Sequence, residues 1–296
     1  MSQISWIKQT YLMLIPAVPI GYLVIHGFRG DQIWTKLYVN RSTMPAPDSL
    51  KQFVESELDQ LENVRNPQTS VVLTNELEPK IYGGFFLNKG TELQFPLRVA
   101  IEDAEQARRF GSNLEMDLGN SKYRRKIEAN SRVGDELIAR LMLSDNAKRF
   151  IIQRQLQLAN NGVFFCVPIF AWMGFSAAGY LIFTGISTVL GGAVALISTT
   201  ALVVLAYTQF MKGFKAHMTK KADEIAANQG SDYLQGARDY FTSGMKFNRL
   251  MRAVLGEEGE RNIEKNGDVR MDPVPYSERL KNIEAFVRKE KGEGDW

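Results

Sequence analysis

Charged and apolar residues intermingle along most of this 296-residue chain, but residues 163–184 and 189–211 contain no charged side chain. Each stretch is long enough to cross a hydrocarbon core of about 30 Å as a helix, which takes roughly 20 residues. Only Gly185, Ile186, Ser187 and Thr188 separate them, so the pattern predicts a tight transmembrane helical hairpin. A third apolar run, residues 11–28, is interrupted by Pro16 and Pro19 and bounded by Lys8 and Arg29. It has three readings: a span, a secretory signal or a mitochondrial targeting segment. A secretory apolar region leads into small residues, whereas His26-Gly27-Phe28-Arg29-Gly30 follows here. The absence of acids before Asp31 suits import, yet Arg is absent from residues 1–28. We therefore read residues 1–10 as a short N-terminal segment and 11–28 as a retained span.

Between the spans, residues 29–162 read as an α+β soluble region. Leu50, Phe53, Val54, Glu57, Leu58 and Leu61 recur at helical spacing after Pro45-Ala46-Pro47-Asp48, and Asn66-Pro67 ends the pattern. Runs at 70–74, 80–86 and 92–99 are rich in β-branched and aromatic residues and predict a small antiparallel sheet. Residues 101–160 turn helical, with a break at 111–120 and an N-cap at Ser144. After the hairpin, residues 212–261 read as helical: Phe214, Met218, Ala222 and Ile225 share one face. Tyr233, Ala237, Tyr240, Phe241, Gly244, Asn248, Met251 and Val254 share another. Residues 262–296 read as a polar tail with a short helix at 277–289. The fold class is thus a mainly α membrane protein, with a hairpin, an N-terminal span and a soluble region carrying a small sheet.

Three spans place both soluble regions on one side. Arg29, Lys36, Arg41, Lys148, Arg149, Arg154, Lys212, Lys215, Lys220 and Lys221 flank the spans there, against Lys8 on the other side. That asymmetry predicts a matrix or cytoplasmic location for them. Within the spans, Gly174 with Ala178 and Gly191 with Ala195 set small residues four apart, a helix-packing pattern. Trp172, Tyr180 and Tyr207 are candidates for interfacial anchors or for packing. No intramembrane carboxylate or lysine suggests ion transport.

Composition adds mainly exclusions. A formal charge of +3 gives no reason to expect nucleic acid, and the single cysteine, Cys166, lies in a span, so no intrachain disulfide forms. No nucleophile elbow, phosphate loop, dinucleotide fingerprint or C-x-x-C motif occurs. The two histidines, His26 and His217, are far apart in sequence and read as interfacial or surface residues. Neither catalytic nor metal-ligating residues are expected, nor a cofactor.

Leu143-Ser144, Ala147, Phe150 and Arg154 lead into the hairpin; Gly236-Ala237-Arg238-Asp239-Tyr240, Gly244, Asn248 and Leu250 follow it. Leu255-Gly256-Glu257-Glu258-Gly259-Glu260, then Gly267, Pro275-Tyr276-Ser277 and Arg279, complete a pattern that resembles the transmembrane protein 177 family of the mitochondrial inner membrane. Gly84, Leu87, Gly90 and Pro96 fit upstream, whereas the charged insertion at 102–132 and the Arg-poor N-terminus depart from it. The resemblance implies a multi-pass, non-enzymatic factor in cytochrome c oxidase biogenesis. Its expected partners are newly made oxidase subunit 2, that subunit's membrane chaperone and the lipid bilayer. A membrane peptidase with an unrecognised site and a structural subunit of an inner-membrane complex are the alternative readings.

The order of elements is also similar to that of HtpX and Oma type membrane zinc metallopeptidases. On that alignment Arg154-Gln155-Leu156-Gln157-Leu158 stands where the family has H-E-x-x-H, and Thr219-Lys220-Lys221-Ala222-Asp223 where it has E-x-x-A-D. Arg154, Leu158 and Thr219 would replace the ligands and Gln155 the general base. Arg and Leu cannot replace imidazoles on zinc, and Gln cannot take a proton from bound water. The resemblance therefore implies a pseudo-peptidase scaffold with a degenerate metal site.

Overall fold

The computed structural model describes residues 3–27, 44–61, 64–65, 67–74, 76–111, 115–117, 122–124, 128, 131–270 and 272–290. Arg29, Lys36, Arg41 and Asn66 lie outside them. In chain order the elements are α1 (Gln3–Gly27), β1 (Met44–Pro45), α2 (Asp48–Leu58), β2 (Thr69–Thr74), β3 (Lys80–Gly83), β4 (Thr91–Pro96) and α3 (Leu97–Ala100). Next come α4 (Ala104–Gly111), β5 (Glu115–Asp117), β6 (Lys122–Arg124), α5 (Arg132–Leu141) and α6 (Asp145–Asn160). The chain closes with α7 (Gly162–Leu190), α8 (Gly192–Ala227), α9 (Ser231–Leu255), α10 (Glu257–Asn262) and α11 (Tyr276–Glu290).

Three of these helices are long and apolar enough to cross a membrane: α1 over Trp6–His26, α7 and α8. The hairpin turn lies later than its sequence suggests. Residues 185–188 continue α7, and the chain reverses at Gly191, whose φ of +79° suits glycine. Ser187 and Thr188 do not break the helix, because their hydroxyls donate to the carbonyls of Thr184 (3.1 Å) and Gly185 (2.8 Å) in the preceding turn. Past the membrane, α8 runs unbroken to Ala227, so residue 211 is not a helix end.

The N-terminal span docks on the hairpin through a defect of its own. Pro19 has no N–H to give the Ile15 carbonyl, and the Trp172 indole supplies the missing donor at 3.0 Å. Tyr11 Oη donates to the Ser176 carbonyl at 3.1 Å and stacks on Phe183, 5.5 Å between ring centroids. Trp172 meets Tyr207 edge-on at 5.2 Å, so both are packing residues.

The predicted small-residue pairs fare unevenly. Ala195 is fully buried against Tyr11 and Phe183. Gly174 and Ala178 face outward, a Cβ on Gly174 would meet nothing within 4 Å, and Gly191 forms the turn. The close approach falls on Gly179, where a Cβ would lie 2.3 Å from Tyr11 Oη and 2.4 Å from Val203 Cγ2. The reason is phase: Trp172, Ser176, Gly179 and Phe183 form the buried stripe of α7, and 174 and 178 lie off it.

In the soluble part, α6 is the central element, capped by Ser144 Oγ accepting from Ala147 N (3.2 Å) and buried along nearly its whole length. Its neighbour α9 comes so close that a Cβ on Gly236 would sit 2.0 Å from the Asn146 carbonyl oxygen. The four-stranded sheet has the order β1-β2-β4-β3 and is mixed, which corrects the antiparallel expectation. β3 pairs antiparallel on the far side of β4, so β2 and β4 run parallel, with Val71 opposite Leu93. β3 ends at Gly83, and Leu97–Ala100 is a helical turn. The break expected at 111–120 carries part of a two-stranded pair, β5 with β6. The polar tail is also corrected: Ile263, Val274, Tyr276, Arg279 and Ile283 are buried, and α11 packs into the main core.

Candidate functional site

Four elements deliver charged side chains to one buried point. Arg154 comes from α6, Asp223 from α8, Arg279 from α11 and Glu78 from the β2–β3 connection. The Arg279 guanidinium donates to both oxygens of Asp223, Nε at 2.7 Å and Nη2 at 2.9 Å, and places Nη1 3.3 Å from Glu78 Oε2. Arg154 Nε approaches Asp223 Oδ1 to 2.8 Å without hydrogen-bond alignment, and its Nη1 lies 3.7 Å from Glu78 Oε2. The two arginines and Asp223 are at most 5% exposed. Burial disfavours the Arg279 cation, but Asp223 and then Glu78 reverse this and raise its pKa above the ordinary arginine range. Its guanidinium also lies over the rings of Phe241 (4.5 Å) and Tyr276 (5.5 Å). Burial, followed by the Glu78 charge, pushes the Tyr276 hydroxyl well up.

A cavity of about 820 Å³ opens beside this cluster. Arg154, Gln155, Leu158 and Thr219, four sequence positions read as a degenerate metal site, all line it. The structure thus brings them together, although 60 residues lie between Leu158 and Thr219 in the chain. Glu78, Asp272 and Arg279 line it as well. Burial first, then the neighbouring Glu78, pushes the Asp272 carboxyl up to about 7. Towards the membrane the lining comes from Tyr22 and His26 of α1, Phe164 and Pro168 of α7, and Tyr207, Met211 and Phe214 of α8. His26 latches α1 to the sheet: its Nδ1 accepts from Gly83 N at 3.3 Å, and its ring lies 5.8 Å from that of Tyr82.

Among the described residues no group of three His, Cys, Asp or Glu side chains forms a potential metal site. The side chains at 154, 155, 158 and 219 do not fit zinc: a guanidinium is a cationic donor, and a leucine offers no lone pair. The arrangement can hold polar or charged groups at its floor and apolar groups along its membrane side.

Of the remaining motif positions, Tyr240 and Gly244 adjoin this cluster through Tyr276, and the others pack α9, α10 and the N-terminus of α6. Tyr240 is buried between Tyr276, 6.0 Å away, and the Arg98 guanidinium, 5.8 Å from its ring. A Cβ on Gly244 would lie 2.4 Å from the Tyr276 ring, so α11 can lie flat on α9. Asn248 donates to the Gly267 carbonyl at 2.9 Å, and Gly267, with φ +96°, sits against the Met245 carbonyl. Gly256 ends α9 at φ +62°. Leu255 packs on the hydrophobic cluster of Leu137, Phe247 and Met251, and Gly259 abuts the Arg252 backbone. Glu260 Oε1 lies 3.3 Å from Arg252 Nη2. Gly236 admits the N-terminus of α6, the helix that carries Arg154. Sequence reasoning missed Glu78 and Asp272. Arg279 carried a usable signal, since it lies in helical phase with buried Tyr276 and Ile283.

Residues 10–293 match the family described as Transmembrane protein 177. The chain belongs to the transmembrane protein 177 family. An uncharacterized protein of Caenorhabditis elegans, R144.12, is 24% identical over 289 residues, covering 90% of this chain and 84% of its own length. No solved structure matches. The transmembrane protein 177 match covers most of α1, both hairpin helices and all four elements of the ion cluster. The metallopeptidase resemblance gains no support from these comparisons; the juxtaposition of Arg154, Gln155, Leu158 and Thr219 stands on the structure alone.

Proposed function

We propose that this protein is a non-enzymatic, multi-pass assembly factor of the mitochondrial inner membrane. In this reading it stabilises newly made cytochrome c oxidase subunit 2, together with that subunit's membrane chaperone, during early oxidase biogenesis. The observation that carries it is the cavity, whose polar floor is closed by a charge-paired ion cluster and whose apolar side runs into the spans. Such a surface suits holding a membrane client without altering it. Family membership supports the membrane setting, and the client follows from the family resemblance.

Crosslinking during mitochondrial translation tests the proposal directly. It predicts labelled subunit 2 or its chaperone, and a shortened subunit 2 lifetime in cells lacking the protein. A normal lifetime there would sink the reading. The second reading, a metallopeptidase-like protein in membrane quality control, is favoured only by the meeting of 154, 155, 158 and 219 in one cavity. It predicts stoichiometric zinc in the purified protein or proteolytic turnover.

A further inference from the structure

The cavity's rim differs in charge from its floor. At the floor Arg154 and Arg279 face Glu78 and Asp223, so the cations are matched. Asp272, its carboxyl raised to about 7 by burial and Glu78, adds at most a partial charge near neutrality. At the rim stand Lys212 and Lys215, both exposed, on the stripe of α8 that also carries Met211 and Thr219. No carboxylate occurs in the sequence from residue 161 to residue 222, so nothing on either hairpin helix offsets them before Asp223.

Position completes the pattern. The lysines sit where α8 leaves its apolar stretch, at the level of a membrane surface, and Tyr207, Met211 and Phe164 extend the cavity toward the apolar layer. Deeper in, Gln155 is 2% exposed and leaves Nε2 without a hydrogen-bond partner among the described residues. A buried amide donor without a partner is costly and is usually satisfied by water or a ligand. A volume near 820 Å³, apolar along one side with a few convergent polar groups, has the character of a small-molecule site.

We propose that this cavity binds one anionic phospholipid, its phosphate between Lys212 and Lys215 and an acyl chain along Phe164, Tyr207 and Met211. Basic pockets beside membrane helices attract acidic headgroups, each lysine near the surface favouring them roughly fivefold. A neutral zwitterionic lipid gains little from that rim. The proposal goes beyond the assembly role and does not depend on it, since lipid retention is measured with no oxidase component present.

The test uses the full chain, purified, delipidated by detergent exchange and offered phosphatidylglycerol or phosphatidylcholine in mixed micelles, with retained lipid counted by native mass spectrometry. One phosphatidylglycerol is expected per chain, retained at least fivefold better than phosphatidylcholine. K212Q/K215Q, altering exposed rim residues, lowers retention roughly fivefold per lysine. Met211→Trp fills the apolar part and lowers retention with both lysines intact, whereas Lys221→Gln, outside the cavity, changes nothing. Equal retention of the two lipids, or full retention by both cavity variants, overturns the proposal. So does displacement by free glycerol phosphate, which identifies a phosphate site without a lipid, or a peptide rather than a lipid captured by a photocrosslinker at position 207.

Discussion

Replacing Asp223 with Asn removes the more deeply buried of the two carboxylates that both arginines share, at the shorter distances. The side chain keeps its volume, so the perturbation is electrostatic. Arg279 loses the anion that receives two hydrogen bonds, at 2.7 and 2.9 Å, and Arg154 loses a contact at 2.8 Å. Breaking a buried ion pair by removing one partner costs about 3–5 kcal/mol, because the remaining charge stays buried and uncompensated. Two features place this case at the low end. Glu78 stays 3.3 Å from Arg279 and 3.7 Å from Arg154, and Asn can still accept one bond. A loss of about 3 kcal/mol corresponds to a fall in apparent Tm on the order of 6–12 °C for a domain of 150–250 residues. The assay is thermal unfolding at one heating rate in one detergent, followed by near-UV circular dichroism. A double-mutant cycle with Arg279→Met sharpens it: once Asp223 is gone, removing the Arg279 charge relieves repulsion with Arg154, so the double variant loses less than the sum of the singles, by about 1–3 kcal/mol. A Tm change below about 2 °C, or strict additivity in the cycle, would refute the idea that the cluster is an integral buried network.

Asp272→Asn mimics the protonated form of a carboxyl whose folded pKa is raised to about 7 from 3.8. Below pH 3.8 both folded and unfolded states carry the proton; between 3.8 and 7 only the folded state keeps it, so wild-type stability falls as pH rises through that window. The variant's Tm advantage should therefore grow from pH 4 to pH 7 and level off above; a pH-independent difference contradicts this. Gly236→Ala puts a Cβ 2.0 Å from the Asn146 backbone and should cost about 1–3 kcal/mol by prying α9 from α6, read as a lower Tm. Gly179→Ala, which meets Tyr11 and Val203, should loosen α1 from the hairpin, whereas Gly174→Ala should be silent. Cysteine crosslinking yield between positions 15 and 172 distinguishes them, and equal effects would show the α7 packing face to be misassigned.

What the sequence disclosed follows from how each feature is encoded. The spans are compositional: a run without charge around 20 residues long needs no tertiary context to be recognised. The hairpin turn is not, since Ser187 and Thr188 look like breakers yet satisfy their hydroxyls within α7, and only the left-handed Gly191 marks the reversal. Likewise G-x-x-x-A spacing reads the same on a lipid-facing stripe as on a packed one, so Gly174 and Ala178 were indistinguishable from Gly179 until phase relative to Trp172 and Phe183 was known. Parallel pairing of β2 with β4 is a long-range choice that no local propensity records.

The candidate site divides in the same way. Its α6 and α8 parts, Arg154 to Leu158 and Thr219 to Asp223, were legible because they sit roughly one to three helix turns beyond the spans, and a membrane hairpin returns the chain to where it left. Glu78 was not, because a loop acid carries no signal of burial by itself, and Arg279 showed only through its helical phase with Tyr276 and Ile283. Yet the cluster's chemistry explains why the tail cannot be free. Arg154 and Asp223 alone leave Asp223 with two lone-pair faces unfilled and no aligned donor. Arg279 fills them bidentately, and its guanidinium needs the rings of Phe241 and Tyr276 over it to be dry. Residues 276–290 therefore fold as a helix on α9 to complete an ion cluster begun by the helices flanking the hairpin. The glycines at 236 and 244 are small because that closure brings two helices within contact of α9.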